Sequence, residues 1–114
     1  MPLLKITTNR EMNQTDLPNF IKQASTTVAD MLGKPEKYVM VSYEFNPDML
    51  FAGTSASSAY LELKSIGLPG ERTSEFSQVL CDLIQRQLQI PKERVYIEFS
   101  NAERHLWGWN GATF

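Results

Sequence analysis

Apolar residues follow two alternating patterns along the chain, one with the period of a strand and one with the period of a helix. A first strand is predicted over Leu3 to Thr8, and the polar loop after it ends at Thr15 or Asp16, either of which is suited to cap a helix. Apolar side chains then recur every three or four residues up to Gly33, where a helix stop is predicted. These side chains are Phe20, Ile21, Ala24, Val28, Met31 and Leu32. A second strand is predicted over Tyr38 to Phe45.

The second half of the chain repeats this order without gaps. An offset of 56 positions relates Pro35 to Pro91, and the same offset relates apolar positions throughout the predicted helices and strands. The matched pairs are Val39 with Val95, Val41 with Ile97, Phe20 with Phe76, Ala24 with Leu80, Val28 with Ile84, and Leu32 with Leu88. The repeat therefore predicts a strand over Ala59 to Ile66, a helix from about Thr73 and a strand over Val95 to Phe99.

This order of elements indicates the fold class. Two strands joined through a helix lie parallel with a right-handed crossover, because only that path packs the helix back on the twisted strands. Two such units make a four-stranded core with both helices on one face of the sheet. The other face carries apolar residues such as Leu3, Met40 and Tyr96 and needs a cover. Since no third helix is visible, we expect other subunits to supply that cover in an oligomer.

The last ten residues are unusually apolar for a chain terminus. They contain Trp107, Trp109 and Phe114, whereas a solvated tail would be polar. We expect this tail to pack as an edge strand or as an arm between subunits. The alternative is a tail that folds onto its own core.

Length and charge narrow the classes of function. A chain of 114 residues fits one domain, over residues 1–114. Its formal net charge is -2 and its Lys and Arg residues are dispersed, so we expect no nucleic-acid partner. No apolar run has the length of a membrane span and no leader is visible, so we expect no membrane partner and a cytoplasmic protein. The single cysteine, Cys81, leaves no disulfide, Cys-x-x-Cys pair or cysteine cluster for zinc, and we expect no cofactor.

Pro2 has the most distinctive chemistry available in the sequence. If Met1 is removed, Pro2 carries a free secondary amine at the start of a strand, and that amine can act as a base. If Met1 stays, the proline nitrogen is an amide without basicity. The alternative interpretation is purely structural, because proline is tolerated as the first residue of a strand.

Several short strings, taken in order, carry a resemblance to a known family. They are Met1-Pro2-Leu3-Leu4, Gly33-Lys34-Pro35-Glu36-Lys37-Tyr38, Lys64-Ser65-Ile66-Gly67, Arg94-Val95-Tyr96-Ile97, Trp107-Gly108-Trp109-Asn110 and Thr113-Phe114. With these strings the whole chain resembles the macrophage migration inhibitory factor family of tautomerases. The resemblance implies an α+β fold in which two pseudo-repeated βαβ units form a four-stranded mixed sheet with two helices on one face. It also implies a ring-shaped homotrimer of such subunits, with an active site at each subunit interface.

The resemblance also implies a reaction, the keto–enol tautomerisation of arylpyruvates such as phenylpyruvate and hydroxyphenylpyruvate. Pro2 matches the general base of the family, and Lys34 matches the lysine that holds the carboxylate of the small keto or enol acid. A free α-amine has a pKa of about 8, so an apolar wall and a nearby cation must lower it. Ile66 matches a position whose backbone N–H fixes the substrate. The pocket-wall matches are Tyr38, Tyr96, Trp107 and Phe114, with Leu3 beside the proline and Trp109 near the rim.

Two of these positions have ordinary structural explanations as well. Lys34 directly after a helix-ending glycine compensates the helix dipole, a role that is compatible with substrate binding. Tyr96 could simply alternate with Ile97 on the two faces of a strand. His105 is the only histidine, but it matches no catalytic position of the family, and we interpret it as a loop residue.

The chain also departs from the family pattern at informative positions. Relatives with an additional thiol oxidoreductase activity carry a Cys-x-x-Cys where this chain has residues 57–61 without cysteine, so we do not expect that activity. Glu98 stands where the best-known members have an asparagine, and Trp107 replaces a smaller apolar residue. An ionised carboxylate accepts hydrogen bonds but cannot donate them, so we expect an altered substrate preference.

Two other functions remain open from the sequence. The chain could be a cytokine-like or protein-interaction module whose tautomerase pocket is vestigial. A hydratase or dehalogenase that shares the amino-terminal proline needs additional pocket arginines, and the sequence does not place any.

Overall fold

Two strand–helix–strand units make up the molecule, and the computed structural model describes residues 1–114. The first unit contains β1, α1 and β2, the second contains β3, α2 and β4, and a short hairpin of β5 and β6 ends the chain. The elements are β1 Leu3–Thr8, α1 Leu17–Leu32, β2 Met40–Phe45, β3 Ala59–Ile66, α2 Thr73–Leu88, β4 Val95–Ala102, β5 Gly108–Trp109 and β6 Ala112–Thr113.

The predicted internal repeat is confirmed by the two helices. Each has 16 residues, and the bounds of α2 are those of α1 shifted by the offset found in the sequence. The 3-10 turns that follow the helices, Glu36–Tyr38 and Lys92–Arg94, obey the same shift because Pro35 and Pro91 precede them with matching extended backbone. Neither helix is long and apolar enough to cross a membrane.

The four main strands form one mixed sheet, as predicted. Their order is β2-β1-β3-β4, with parallel pairing inside each unit and antiparallel pairing between β1 and β3. The register opposes Leu3 to Met40 on one side and to Lys64 on the other. The first residues of β1 therefore lie beside the beginning of β2 and the end of β3.

The core fills the space between the sheet and the two helices. Leu4, Ile6, Leu61 and Leu63 point from the central strands into this space, and the helices bury Phe20, Phe76 and their neighbours against them. Each such side chain contributes about 1.5–3 kcal/mol of transfer free energy when it is fully buried. The core thus contains every second side chain of the central strands and the side chains from one face of each helix.

The uncovered face of the sheet is charged in its centre and apolar at its margins. The carboxylate of Glu62 lies between two ammonium groups, 3.8 Å from Lys5 and 3.5 Å from Lys64. Met40 and Tyr96 are 65% and 66% exposed near the two edges. The prediction that this face is apolar is therefore correct at its margins and wrong at its centre.

Three predicted boundaries need correction. Tyr38 belongs to the 3-10 turn and β2 begins only at Met40, because Pro35 starts that turn. β4 continues past Phe99 to Ala102, since it pairs with β3 over the whole length of that strand. Asp16 occupies the N-cap position of α1 but makes no cap hydrogen bond, as its side chain accepts from Asn13 instead.

The tail forms neither an edge strand nor an extended end. β5 and β6 pair with each other across Asn110 and Gly111, whose φ values of 54° and 75° are the left-handed pair that a tight hairpin turn requires. The hairpin contacts Tyr38 of its own chain but adds no residue to the core, and the expectation of an arm between subunits stays a prediction. The prediction of an edge strand was wrong.

Candidate active site

Pro2 lies immediately before β1 at the end of the sheet where β2 begins. Its side chain is buried, and its carbonyl oxygen accepts a hydrogen bond from the Met40 N–H at 3.0 Å. Proline has no N–H to contribute to a strand ladder, so the first position of a strand suits it. The pairing of β1 with β2 thus holds the proline nitrogen at a fixed place.

Lys34 reaches this end of the sheet because α1 ends there. Gly33 adopts the left-handed conformation with φ 63°, and the Lys34 N–H then donates to the Ala29 carbonyl at 3.0 Å. Glycine is favoured at this position because a Cβ is strained at positive φ. The closure turns the chain back toward β2 and leaves the Lys34 side chain half-buried without an ion pair.

An aromatic cluster forms one wall beside Pro2. The ring of Tyr38 meets Trp109 edge to face at 5.5 Å between centroids and meets Phe114 edge to face at 5.9 Å. Trp109 and Phe114 stack on each other at 5.5 Å. The Phe114 N–H donates to the Trp107 carbonyl at 3.2 Å, which ties the last residue to the start of the hairpin. The tail therefore shields the end of β1 from water.

These elements enclose a cleft of about 360 Å³, a size suited to a small organic acid. Of the predicted site residues, Pro2, Tyr38, Trp107 and Phe114 line this cleft together. Its remaining lining residues are Met1, Leu3, Lys37, Val39, Met40, Gly108 and Trp109. Because Met1 is among them, its removal opens space in the cleft as well as freeing the proline nitrogen.

Ile66 lies close to the same cleft, at the end of β3. The antiparallel register pairs Leu3 with Lys64, so one further step places Pro2 beside Ser65, next to Ile66. Ile66 is 7% exposed, and its carbonyl accepts a hydrogen bond from the Ser65 hydroxyl at 3.2 Å. The backbone of Ile66 is therefore within one or two residues of the proline.

The amino terminus sits in an electrostatic setting that disfavours positive charge. In the chain with Met1, burial is the largest cause that lowers the pKa of the terminal amine from its ordinary value of 8.0. The cations of Lys34 and then Arg104 lower this pKa further by repulsion. The sequence analysis expects the same two causes for the amine of Pro2 after removal of Met1, and for that amine they stay a prediction.

Tyr96 and Glu98 do not join this cleft within one chain. Both lie on β4, two strands away from β1, and the register aligns them with Tyr60 and Glu62 rather than with the Pro2 end of the sheet. Strand spacing and rise place them about 19 Å and about 14 Å from Pro2. Glu98 accepts a hydrogen bond from the Tyr60 hydroxyl at 3.3 Å.

A second hollow of about 440 Å³ lies beside Tyr96, and the internal repeat relates it to the first. Ser58 stands where the first unit has Pro2, and Tyr96 stands where it has Met40. The other lining residues are Met49, Leu50, Phe51, Ala52, Ala59 and Tyr60. This hollow is the larger of the two, but it contains no cation and no amine. We therefore place the candidate chemistry in the Pro2 cleft.

Sequence reasoning missed Arg104, Lys37 and Met40. Arg104 begins a 3-10 turn, Arg104–Leu106, that leads into Trp107. Lys37 places its ammonium 5.1 Å from the centre of the Tyr38 ring. A search for basic residues beside the matched pocket positions could have found both cations, whereas the role of Met40 depends on the strand register.

Known proteins resemble the chain along its whole length. A family model described as macrophage migration inhibitory factor (MIF) matches residues 1–114. A macrophage migration inhibitory factor homolog of Brugia malayi is 39% identical over 115 residues, which cover 100% of this chain and 99% of the relative. Among solved structures, the homologue from Prochlorococcus marinus has a TM-score of 0.91 and 41% identity, covering 98% of each chain. The protein from Trichinella spiralis has a TM-score of 0.89 and 35% identity, covering 98% of this chain and 99% of that chain.

The electrostatic setting of the amino terminus can be measured directly. In the chain that retains Met1, we expect NMR titration of labelled Met1 to show an amine pKa below 8.0. Lys34→Gln should raise that pKa, because it removes a cation that disfavours the ammonium. Lys22→Gln, which removes an exposed charge from α1, is the matched control and should leave the pKa unchanged. A pKa that Lys34→Gln leaves unchanged or lowers contradicts this description.

Proposed function

Because the chain belongs to the macrophage migration inhibitory factor family, we propose that it is a keto–enol tautomerase of arylpyruvates such as phenylpyruvate and hydroxyphenylpyruvate, with Pro2 as general base. The observation that carries the proposal is the buried position of Pro2 in an apolar cleft beside two cations that lower the pKa of the chain's amine. The activity requires removal of Met1, since only then is the proline nitrogen basic.

The setting of Pro2 supports a base that works near neutral pH. An α-amine with a pKa of about 8 is only about one-tenth neutral at pH 7. Lowering that pKa increases the neutral fraction, which is the form that accepts a proton. Once Met1 is gone, the free amine lies at Pro2 in the same cleft, and we infer that desolvation and the cations of Lys34 and Arg104 lower its pKa in the same direction.

The proton transfer itself needs no other reagent. The lone pair of the Pro2 nitrogen takes a proton from C3 of the 2-oxo acid, and the electrons of that C–H bond form the C2–C3 double bond. The carbonyl electrons move to the oxygen, which takes the proton back from the Pro2 ammonium to give the enol and restore the neutral amine. Lys34 holds the carboxylate and stabilises the developing negative charge, and the Ile66 N–H orients the substrate.

We place the complete site at the interface of a homotrimer, where Tyr96 and Glu98 come from a neighbouring subunit. Their distance from Pro2 in their own chain supports this arrangement. A second support is the apolar surface around the second hollow, where Leu50 is 72% and Tyr96 is 66% exposed. Surfaces of this kind mark protein contacts. If a neighbouring subunit covers the apolar surface around the second hollow, β4 of one subunit lies near the Pro2 cleft of another.

Glu98 and Trp107 set the substrate preference in this proposal. The Glu98 carboxylate accepts a hydrogen bond from Tyr60, and it can accept one from the phenol of hydroxyphenylpyruvate in the same way. It repels a negative group at that end of the substrate. Trp107 lines the cleft and narrows it.

The proposal includes no thiol oxidoreductase activity. Cys81 is the only cysteine, and it lies buried in α2. Burial raises the pKa of its thiol, so the reactive thiolate is disfavoured.

Replacement of the base tests the proposed activity. Pro2→Gly should lower kcat/KM for phenylpyruvate by about 10²-fold or more, in the range of general-base contributions. The reason is that the substitution replaces the secondary amine of the proline ring by the primary amine of an unconstrained glycine. Pro47→Gly alters an exposed proline and should leave kcat/KM unchanged. Mass spectrometry must first show that Met1 is absent in each protein. If the wild-type protein lacks Met1 and still has no activity, the proposed tautomerase function is refuted. That result favours a protein-interaction module with a vestigial pocket.

Mixing two inactive variants tests the shared site. Pro2→Gly and Tyr96→Ala subunits should each assemble into poorly active trimers. If each site takes Pro2 from one subunit and Tyr96 from the next, random mixing restores intact sites in about a quarter of the positions. We therefore expect about a quarter of wild-type activity after unfolding and refolding the mixture. No recovery, in samples whose mixed trimers are verified by native mass spectrometry, contradicts the shared site.

A further inference from the structure

Lys37 has the one charged side chain among the residues that line the Pro2 cleft. Lys34, to which the proposed function assigns the substrate carboxylate, is not among the lining residues. The lining also includes Phe114, whose terminal carboxylate repels an acid that enters the cleft. A cation in the lining itself offsets this repulsion, and Lys37 is the side chain that is placed to supply it.

A hydrogen-bonded turn carries Lys37. It is the middle residue of the 3-10 turn Glu36–Tyr38, which the Tyr38 N–H closes by donating to the Pro35 carbonyl at 3.1 Å. Tyr38, the next residue, belongs to the aromatic wall of the cleft. The backbone of Lys37 is therefore fixed beside that wall.

The ammonium of Lys37 lies near the face of this wall and has no partner of opposite charge. Its Nζ is 5.1 Å from the centre of the Tyr38 ring, within the range of a cation–π contact. That ring is itself held by edge-to-face contacts with Trp109 and Phe114. Because the ammonium makes no ion pair within the chain, its N–H donors are free to bind an anion.

We propose that Lys37 is a further substrate-binding residue of the cleft, and that its ammonium contacts the carboxylate of an aromatic monocarboxylic acid. This inference rests on the proposed tautomerase function and names a residue that binds the substrate at the same site. Lys34 and Lys37 both belong to the connection between α1 and β2, residues 33–39, so they approach the cleft from the same segment. Their ammonium groups can therefore act on one carboxylate.

The aromatic part of the lining suits the other end of such an acid. Trp109 and Phe114 stack at 5.5 Å between ring centroids, and with Tyr38 they offer a surface on which a phenyl ring packs. A neutral aromatic molecule keeps this ring contact but gains no ion pair with Lys37. Lys37 therefore favours the acid over its neutral analogues.

Binding without turnover tests the inference first. 3-Phenylpropanoate and 3-phenylpropanamide share one skeleton, but only the first is an anion. The two tryptophans of the chain both line the cleft, so their fluorescence reports occupancy. In the mature protein we expect Lys37→Gln to weaken binding of the acid about fivefold, as for an exposed ion pair, and to leave binding of the amide unchanged. Lys37→Arg should retain most of the affinity for the acid.

Lys22→Gln is the matched control for net charge. Lys22 is an exposed residue in the first half of α1, away from the helix end that leads to Lys34. Its replacement should leave both affinities unchanged. The inference is overturned if Lys37→Gln does not weaken binding of the acid, if it weakens binding of the acid and the amide equally, or if Lys22→Gln weakens binding of the acid as much.

Turnover separates the failure of this inference from the failure of the proposed function. The carboxylate stays ionised throughout the reaction, so Lys37→Gln should raise KM for phenylpyruvate about fivefold and leave kcat within about twofold. If the wild type turns over phenylpyruvate and Lys37→Gln leaves KM unchanged, the inference fails and the tautomerase stands. If the mature wild type binds 3-phenylpropanoate through Lys37 but turns over no phenylpyruvate, the tautomerase is refuted and Lys37 is an acid-binding residue without that activity.

Discussion

The Met40 N–H donates to the Pro2 carbonyl at 3.0 Å, and the parallel pairing of β1 with β2 begins at this bond. It places the amino terminus at one end of the sheet, beside the turn that carries Lys34 and Tyr38. The aromatic tail then closes over the same end through Tyr38. Burial of Pro2, repulsion by two cations and exclusion of water by the aromatic rings all depend on this placement of β1.

The internal repeat gives two similar βαβ units, but only the first carries the residues of the proposed site. Shifted by the repeat offset, Pro2 becomes Ser58, Lys34 becomes the fully buried Ile90, and Tyr38 becomes Arg94. Arg94 donates to the carbonyls of Ser57, Phe51 and Ala56 and so fixes the loop before β3. The second unit thus has a structural arginine where the first has a cleft wall. In the proposed trimer its β4 serves a neighbouring cleft instead.

The fold could be predicted from the sequence because burial imposes simple periods. The apolar positions of both helices repeat without a gap, so the helices and the parallel strand pair of each unit follow from the pattern. The boundary at Tyr38 was wrong because a turn opened by Pro35 resembles the start of a strand. The tail hairpin was missed although Asn110-Gly111 is a strong turn signal.

The site was less accessible to such reasoning. Pro2, Tyr38, Trp107 and Phe114 were named through resemblance, and the structure brings them together in one cleft. Arg104 was missed because its effect on the pKa of the terminal amine depends on proximity in space. The separation of Tyr96 and Glu98 from Pro2 follows from strand order, which the repeat alone does not determine.

The central claim is that Pro2 of the mature chain is an amine whose pKa the cleft lowers so that it acts as the base. The most direct measurement is an NMR titration of the ¹⁵N-labelled Pro2 amine, compared with the pH profile of kcat/KM for phenylpyruvate. The account predicts a pKa below the ordinary value of about 8 and a rise in activity with the same midpoint. An amine that titrates at about 8 or above, or an activity that does not follow its titration, contradicts the account.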